Sequence, residues 1–406
     1  MNRTALIVAF LFSTLIFSAC ASIKTQASLG LLSAADSQSL PAGMRSLAGE
    51  QKTGYDLAEK ARDNTLRLTP KAESALSDEV QVVVRGLVED PNRPVVALVG
   101  ATTNAGTTRM SALANFFNVP MVVPSAIGDN LLSSGNLWTF RLSAPGSAHS
   151  AYLFSEVLPR QVLATMTTGD EFAAPLRLGI LYEQNTFGES TAVATAKSAM
   201  AQEVEIGYYG YFEPDAPDRT RLIQAFSAMQ ESGVHLLYMV ASNPDSAQAI
   251  VRSFRDFFVP GDAPLLLGQS GGFASRQFLA SPDAAGVFIL RQQIVPDRCP
   301  DGVDTLAEAQ AYAAIHLLNF AIEQSQDQLG ARENPTMLDR REAVRDSLKA
   351  SSLNLPCLGL TSFDNSGENK SLQFELLYAA SGAPRVVPFE RLREALTPKL
   401  NQDPFQ

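Results

Sequence analysis

The chain has 406 residues, a formal net charge of −10 and a hydrophobic content of 46%. This acidic balance argues against a nucleic-acid-binding protein, which needs a basic face to neutralise phosphates. Its three cysteines and three histidines are scattered without the spacing of metal ligands, so no structural zinc site is expected. The length that remains after an N-terminal leader is enough for two domains of ordinary size.

Residues 1–20 have the pattern of a lipoprotein signal peptide. Arg3 supplies a positive charge, residues 5–17 form an apolar run, and two small residues directly precede Cys20. This end is similar to the lipobox of bacterial lipoproteins, whose cysteine accepts a diacylglycerol and becomes the first residue. We therefore expect lipidation at Cys20, a tether over residues 21–27 and a lipid-anchored location in the periplasm or cell envelope.

Two alternatives to a lipoprotein signal are open. One is an ordinary secretory signal in which the residue after the cleavage site happens to be Cys20. The other is a retained transmembrane helix, which the apolar run disfavours because it is shorter than the ~20 residues that a bilayer needs.

The two remaining cysteines are expected to form a disulfide. If Cys20 is acylated, Cys299 and Cys357 are left over, and an exported chain meets an oxidising compartment. Two free buried thiols are the alternative.

Short continuous apolar runs alternate with helical patterns along most of the chain. In chain order, strands are predicted at Ser28–Leu32, Val95–Val99, Pro120–Pro124, Arg177–Tyr182, Val204–Phe212, Val234–Val240, Pro264–Leu267 and Gly286–Leu290. Helices are predicted at Met44–Arg62, Thr108–Phe117, Gly188–Met200, Arg219–Glu231, Pro244–Phe257, Leu306–Gln324 and Leu338–Ala350. Apolar runs bounded by helices indicate parallel sheets covered on both faces.

The alternation of strands and helices pauses once and then resumes, which predicts two doubly wound, Rossmann-like lobes of the α/β class. The pause covers Leu142–His149. Near the C-terminus, Asp364–Gly367 has hairpin chemistry and predicts pairing between Leu360–Phe363 and Gln373–Tyr378.

Polar loops follow many of the predicted strands, at the carboxyl edge where doubly wound sheets bind ligands. They are rich in Ser, Thr, Asn and Gln and nearly free of charge: Thr102–Thr107, Ser125–Gly128, Gln184–Phe187, Ala241–Asn243 and Gln269–Gly272. Each loop taken alone could simply cap its own helix. Five in the same sheet position favour a shared, uncharged pocket lined by hydroxyls and amides.

One motif suggests catalysis. Gly268–Gly272 matches G-x-S-x-G between a predicted strand and a helix, the context of a nucleophile elbow. However, His316 lies within an apolar helical pattern, and no other histidine follows Ser270. We therefore do not expect an enzyme.

No cofactor is expected. Gly100–Thr108 is rich in Gly and Thr but lacks the Gly-Lys-Ser/Thr of a P-loop. Glu183, Glu189 and Glu213 are interpreted as scattered, solvated acids.

The order and spacing of several segments resemble the type I periplasmic binding fold, and more narrowly the branched-chain amino acid and amide binding proteins of ABC importers. The segments that carry the resemblance are Val95–Thr107, Val119–Ser125, Thr139–Ser143, Leu178–Gly188, Gly286–Ile289 and Phe363–Gly367. It extends over about residues 28–385.

The resemblance implies two lobes that close on a solute by a hinge motion. Three crossing segments would lie near Leu142–Pro145, Gly286–Ile294 and Leu358–Phe363. Lobe 1 would combine residues 28–142 and 295–357, and lobe 2 residues 146–287 and 364–390, with residues 391–406 as a C-terminal tail. The implied partners are a small polar solute, an ABC permease and, through the lipid anchor, a membrane.

Carrying the family's pocket over to this chain gives eight candidate ligand-binding residues: Thr103, Asn104, Ser125, Ala126, Ile127, Phe187, Ser242 and Ser270. Asn104 takes the place of the family's carboxylate-binding hydroxyl, and Phe187 that of an aromatic wall. Ser270 replaces the acid that pairs with a ligand's α-ammonium. Because an unpaired buried ammonium is costly, the solute is not expected to be a zwitterionic amino acid.

The sequence therefore predicts a solute-binding lipoprotein of an ABC importer. The alternative is a regulatory or sensory envelope lipoprotein that keeps the fold but binds a protein partner, such as an activator of a cell-wall synthase.

Overall fold

The computed structural model describes residues 27–61, 66–74, 77–129, 131–132, 135–166, 175–214, 217–330, 332–379 and 384–400. The predicted signal peptide, Cys20 and nearly all of the predicted tether lie outside these residues. No helix within the described ranges combines the length and apolar content that a bilayer crossing requires.

The described strands are, in chain order, β1 (Ala27–Ser33), β2 (Leu66–Ala72), β3 (Ala97–Val99), β4 (Met121–Val123), β5 (Thr139–Arg141), β6 (Arg177–Glu183), β7 (Glu205–Phe212), β8 (Leu236–Val240), β9 (Leu265–Gln269), β10 (Val287–Gln292), β11 (Ser352–Leu355), β12 (Gly359–Ser362), β13 (Phe374–Tyr378) and β14 (Arg385–Val387). The described α-helices are α1 (Ala42–Lys60), α2 (Ser77–Val88), α3 (Asn104–Phe116), α4 (Gly146–Tyr152), α5 (Arg160–Met166), α6 (Thr186–Ala201), α7 (Arg219–Glu231), α8 (Pro244–Phe257), α9 (Arg276–Leu279), α10 (Leu306–Leu329), α11 (Met337–Ala350) and α12 (Glu390–Leu400).

The first sheet has five parallel strands in the order β2-β1-β3-β4-β5. Every residue of β3, β4 and β5 is buried, which explains why β3 and β4 read as continuous apolar runs rather than alternating ones. Two separate apolar clusters cover the two faces of the sheet: Leu31 belongs to one and its neighbour Leu32 to the other. The sheet is therefore enclosed on both sides.

Helices α1 and α10 pack closely on one face of this first lobe. A Cβ atom on Gly54 of α1 would lie 2.3 Å from the backbone oxygen of Glu308 in α10, so only glycine permits this approach. Helix α10 begins with a capping box between Thr305 and Glu308, which fixes its first turn.

The second sheet has seven strands in the order β14-β13-β10-β9-β8-β6-β7. Strands β6 to β10 are parallel to one another. Strand β13 pairs antiparallel with β10, and β14 pairs antiparallel with β13 at one edge of the sheet. Helix α12 buries Leu392, Leu396 and Leu400 in one of the two apolar clusters of this lobe, so the chain is packed there as far as residue 400. The doubly wound α/β architecture predicted from the sequence is confirmed.

The predicted hairpin near the C-terminus is wrong in its pairing. The turn chemistry is correct, because Asp364 Oδ1 accepts hydrogen bonds from the Ser366 and Glu368 backbone N–H groups. However, β12 pairs with β11 in a separate two-stranded sheet, and β13 pairs with β10 and β14 in the second sheet. The chain crosses between the lobes after the turn, so only a single bridge, Phe363 to Asn369, closes it.

Polar side chains connect the segments that cross between the lobes. The Gln292 amide accepts a hydrogen bond from the Ala144 N–H (3.2 Å) and donates one to the Leu142 carbonyl (3.2 Å). Asn369 donates to the same carbonyl (3.3 Å). Three stretches of chain that are far apart in sequence are thereby held side by side.

A disulfide joins Cys299 and Cys357, whose Cα atoms are 4.7 Å apart. Close by, the Val295 N–H donates to the carbonyl of Cys357 (2.8 Å). The bridge therefore joins two segments of the first lobe: the one around Cys299, where the chain returns to this lobe, and the one around Cys357, shortly before the chain leaves it again.

Candidate functional site

A cleft of about 600 Å³ lies at the carboxyl edges of the two sheets and has walls from both lobes. It is lined by Pro41, Met44, Thr103, Asn104, Ala105, Thr108, Arg109, Gly128, Asp129, Leu131, Glu183, Asn185, Thr186, Phe187, Ser190, Pro214 and Ser242. Parallel strands that end side by side leave such a space at their carboxyl edge, which is where doubly wound sheets bind ligands.

The structure brings four of the eight predicted site residues into this cleft. Thr103, Asn104, Phe187 and Ser242 line it, whereas Ser125, Ala126, Ile127 and Ser270 lie outside its lining. The cleft is also not the uncharged gap that the sequence suggested, because Arg109, Asp129 and Glu183 contribute to its walls. Glu183 ends β6, Arg109 lies within α3, and Asp129 directly follows the predicted Ser125–Gly128 loop, so the composition of the predicted loops did not show them.

In the first lobe, the buried carboxylate of Glu73 occupies the start of α3. It accepts hydrogen bonds from the Thr102 N–H (2.8 Å), the Thr103 N–H (3.2 Å) and the Thr103 hydroxyl. Thr103 in turn caps α3 by accepting from the Gly106 N–H (2.9 Å). Burial raises the pKa of Glu73 above its ordinary value, and the hydrogen bonds from Thr103 and Thr102 oppose this shift. The protein's own acid thus uses backbone donors that could otherwise hold an anion.

Asn104 joins the two loops of the first lobe that border the cleft. Its Oδ1 accepts a hydrogen bond from the Gly128 N–H (2.9 Å). Ser125 lies deeper, where it accepts from the amide of Gln51, and Thr102 donates to the same amide (2.8 Å). Gln51 therefore fixes the predicted Ser125 loop from behind and was not identified from the sequence.

Ala126 and Ile127 are buried rather than on the cleft wall: Ala126 belongs to an apolar cluster of the first lobe, and Ile127 packs with an apolar cluster of the second. Ile127 Cδ1 lies 3.2 Å from the position that a Cβ on Gly271 would take, so this glycine allows the first lobe to touch the second. Gly271 has a positive φ of 88°, which also favours glycine.

In the second lobe, a second internal carboxylate holds the loop before α8. Glu183 Oε2 accepts hydrogen bonds from both the backbone N–H and the hydroxyl of Ser242 (2.6 Å each). Glu183 is only 2% exposed, so the interpretation of this residue as a solvated acid is wrong. Its partner Ser242 is fixed in place, since both of its donors are used.

Phe187 lies in the first turn of α6. Its side chain is almost fully buried but contributes to the lining of the cleft. Asn185 caps this helix by accepting from the Gly188 N–H (2.9 Å). Asn185 and Thr103 therefore both cap a helix and line the cleft, which combines the two interpretations that the sequence left open.

Ser270 forms a buried hydrogen bond with a histidine that precedes it in the chain. Its Oγ lies 2.8 Å from His149 Nε2, and His149 Nδ1 lies 3.0 Å from the carbonyl of Pro145. The carbonyl requires a proton on Nδ1, so Ser270 donates to Nε2. Burial lowers the pKa of His149 to about 4, which keeps the ring neutral.

This serine–histidine pair does not form an accessible nucleophile. Both residues are 1% exposed and neither lines the cleft. His149 precedes Ser270 in the chain, so the order of a serine nucleophile followed by its histidine did not indicate it from the sequence. The pair connects the end of β9 to helix α4.

The lobes also meet through a charged contact away from the hinge. Glu50 Oε1 on α1 accepts a hydrogen bond from the Arg276 backbone N–H (2.8 Å), and the Arg276 side chain pairs with the buried Glu308 (2.7 Å). Burial raises the pKa of Glu50 to about 7, and the repulsive charge of Glu308 adds to the shift. Glu50 Oε2 is buried and has no hydrogen-bond partner.

Several solved structures of binding proteins are similar to this chain. An ABC-transporter substrate-binding protein of Desulfitobacterium hafniense in complex with Leu is 14% identical, with a TM-score of 0.65 over 89% of this chain and 100% of that one. A leucine-binding protein of Thermotoga maritima is 12% identical, with a TM-score of 0.69 over 89% and 98%. A solute-binding protein of Rhodopseudomonas palustris in complex with 3,4-dihydroxybenzoic acid is 13% identical, with a TM-score of 0.68 over 89% and 96%.

No family model matches the chain, and no curated protein matches it. The three solved neighbours are substrate-binding proteins rather than enzymes. At identities this low the likeness concerns the fold, which agrees over nearly the full length of each neighbour. The chain has the fold of the type I periplasmic binding proteins.

Proposed function

We propose that this chain is an extracytoplasmic solute-binding lipoprotein of an ABC importer, anchored to a membrane through Cys20. It captures a small polar solute between two closing lobes and delivers the solute to the permease. It does no chemistry on the solute. The disulfide between Cys299 and Cys357 forms in the oxidising compartment to which the chain is exported.

The observation that carries this proposal is the cleft with walls from both lobes. Asn104 contributes from the first lobe, and Phe187 and Ser242 from the second. A volume of about 600 Å³ is within the range of small-molecule sites. A solute that touches both walls gains contacts only when the lobes are together, so its binding favours the closed arrangement.

The surroundings of Glu73 and Ser270 support a solute other than a zwitterionic amino acid, although Arg109 and Asp129 place opposite charges on the cleft wall. Glu73 already accepts from the Thr102 and Thr103 backbone N–H groups at the start of α3. Ser270, which takes the place of the acid that the resembled family uses to pair with an α-ammonium, is buried against His149. Met44, Leu131 and Phe187 give the cleft an apolar side. We therefore favour a solute with both an apolar and a polar part.

A thermal-shift screen tests the proposal, because a solute that binds only the native state raises the melting temperature. The panel contains amino acids, amides, urea, short carboxylates and aromatic acids. Amino acids and aromatic acids are included because one neighbour was solved with Leu and another with 3,4-dihydroxybenzoic acid. A hit should shift the wild-type chain and the exposed control variant Gln230→Ala. It should shift Asn104→Ala and Phe187→Leu much less, and each variant's own melting temperature without solute shows whether it is folded.

Two results would contradict the proposal. A solute whose shift survives in both Asn104→Ala and Phe187→Leu binds elsewhere. A panel without any hit would favour the alternative, a regulatory envelope lipoprotein that binds a protein partner. The anchor is tested separately, since mass spectrometry of the N-terminal peptide shows whether Cys20 carries acyl chains.

A further inference from the structure

A second groove, of about 400 Å³, lies on the first lobe at the end opposite the cleft. Its lining includes Ala27 and Ser28, the first residues of β1, together with part of α10 and the start of α11. In a parallel sheet the amino ends of the strands lie at the edge away from the ligand cleft. The groove is therefore remote from the proposed solute site.

Three arginines from three different elements line this groove, and we call it the basic groove. Arg67 comes from β2, Arg93 from the loop before β3, and Arg340 from α11. All three side chains are exposed. Among the described residues, no carboxylate forms an ion pair with any of the three guanidinium groups.

The wall of the basic groove is fixed by the fold. The neighbouring Arg341 is buried and donates to the carbonyls of Val88 and Val95 (2.9 Å each), which holds the loop that carries Arg93 against α11. The nearest acid in that loop, Asp90, accepts from the Arg93 backbone N–H (3.1 Å) instead of pairing with its side chain. Three positive charges thus stand together on a protein whose net charge is −10.

The position of the groove relative to the predicted anchor restricts what it can meet. Six residues lie between Cys20 and Ala27, so seven Cα-to-Cα steps join them, and a fully extended stretch of this length spans about 25 Å at most. An acylated Cys20 would therefore keep Ala27, which lines the groove, close to the membrane surface. Anionic phospholipid headgroups attract arginines at such a surface, and the attraction decays within about a Debye length.

We propose that the basic groove formed by Arg67, Arg93 and Arg340 binds the phosphate groups of anionic phospholipids and rests that end of the first lobe on the membrane. The inference rests on the lipid anchor of the proposed function. It orients the molecule before it engages the permease, since the cleft then faces away from the anchoring membrane, and delivery of the solute requires the groove to leave the lipid surface.

The test holds the mature chain on vesicles without using the acyl anchor. A histidine tag replaces residues 1–20 and binds nickel-chelating lipid, so all described residues are kept. Pro91→Cys, beside the groove, carries a bimane fluorophore, and Lys197→Cys on the second lobe is the control position. With Cys299 and Cys357 joined in a disulfide, the introduced cysteine is the free thiol. Vesicles contain a fixed fraction of headgroup spin-labelled lipid in either phosphatidylcholine or a phosphatidylcholine–phosphatidylglycerol mixture.

The proposal predicts that quenching at position 91 is about three-fold stronger on the phosphatidylglycerol vesicles, because tethering adds effective concentration to the charge attraction. The triple variant Arg67→Gln, Arg93→Gln, Arg340→Gln should lose this difference. Position 197 should show equal, weak quenching on both kinds of vesicle. The same triple variant should keep any solute-induced thermal shift, because the cleft lies at the other end of the lobe.

Equal quenching at position 91 on both vesicles, or a difference that survives in the triple variant, would overturn the proposal. Inorganic phosphate that raises the melting temperature of the wild-type chain but not of the triple variant, without a vesicle effect, would assign the groove to a soluble anion instead. A failed solute screen would contradict the proposed function and leave the quenching result interpretable, since the tag replaces the acyl anchor.

Discussion

Arg141 and Glu368 form an ion pair across 227 positions of the sequence, at the place where the chain crosses between the lobes. Arg141 Nε lies 2.8 Å and Nη2 2.5 Å from the two carboxylate oxygens, and Nη1 donates to the Gly128 carbonyl beside the cleft. The Arg141 side chain is 1% exposed. The pair therefore joins the crossing segment to a loop that borders the cleft.

Removing the acid of this pair should be strongly destabilising. Glu368→Ala leaves the Arg141 guanidinium buried without its partner, and we expect a loss of about 3 kcal/mol in the free energy of unfolding. Glu394→Ala removes the acid of an exposed pair with Arg391 and should cost about 0.5 kcal/mol or less. Urea unfolding of both variants makes the comparison, and equal midpoints would show that the buried pair has no special role.

Two glycines of α1 make a matched test of lobe closure. A Cβ on Gly43 would lie 2.1 Å from Asn243 Oδ1 in the second lobe, whereas a Cβ on Gly49 meets nothing within 4 Å. Gly43→Ala should therefore separate the lobes and weaken solute binding about ten-fold or more. Gly49→Ala should leave affinity unchanged and stabilise α1 by about 0.5–1 kcal/mol. Titration calorimetry with a solute from the screen measures the affinity of both variants. Equal affinities of Gly43→Ala and Gly49→Ala would argue against closure at this contact.

Glu50 should make stability depend on pH in the range below neutrality. Its pKa of about 7 in the folded chain exceeds its ordinary value of 4.5, so the folded state binds the proton more tightly. The stabilisation is complete below about pH 4.5 and is lost as pH rises through about 7, amounting to about 3 kcal/mol. Glu50→Gln should remove this contribution, which a series of unfolding experiments from pH 5 to 8 would show. A variant with the same slope as the wild type would mean that Glu50 does not titrate there.

Ser270 should behave as a structural residue. Ser270→Ala leaves His149 Nε2 buried without a donor, so we expect a loss of about 1–3 kcal/mol in stability. The wild-type chain should not react with a fluorophosphonate probe, since both members of the pair are buried away from the cleft. Labelling of Ser270 in the folded protein would reopen the hydrolase interpretation.

The pattern of apolar runs was sufficient to predict the central strands of the two sheets, such as β3, β4 and β8, because strands enclosed on both faces have no polar alternation to confuse the assignment. It did not predict β2, β5 or β14. Strand pairing near the C-terminus was not predictable in the same way. A turn sequence such as Asp364–Gly367 reports only local geometry, and β12 and β13 leave it for different sheets.

A residue's position after a strand predicted four members of the site, but it did not distinguish them from Ser125 and Ser270, which also follow strands and are held by Gln51 and His149. The four that line the cleft are Thr103, Asn104, Phe187 and Ser242. The roles of Glu73 and Glu183 were missed. Each carboxylate accepts hydrogen bonds from a loop that is distant in sequence, and the sequence does not show which loop packs beside it. An acidic residue in a sequence looks solvated until its neighbours in space are known.

The most direct test of the account is the crystal structure of the chain with a solute found by thermal shift. We predict density for that solute between Asn104 of the first lobe and Phe187 of the second, with both lobes in contact with it. Density in the basic groove or on the outer surface, with the cleft still free of solute, would contradict the account.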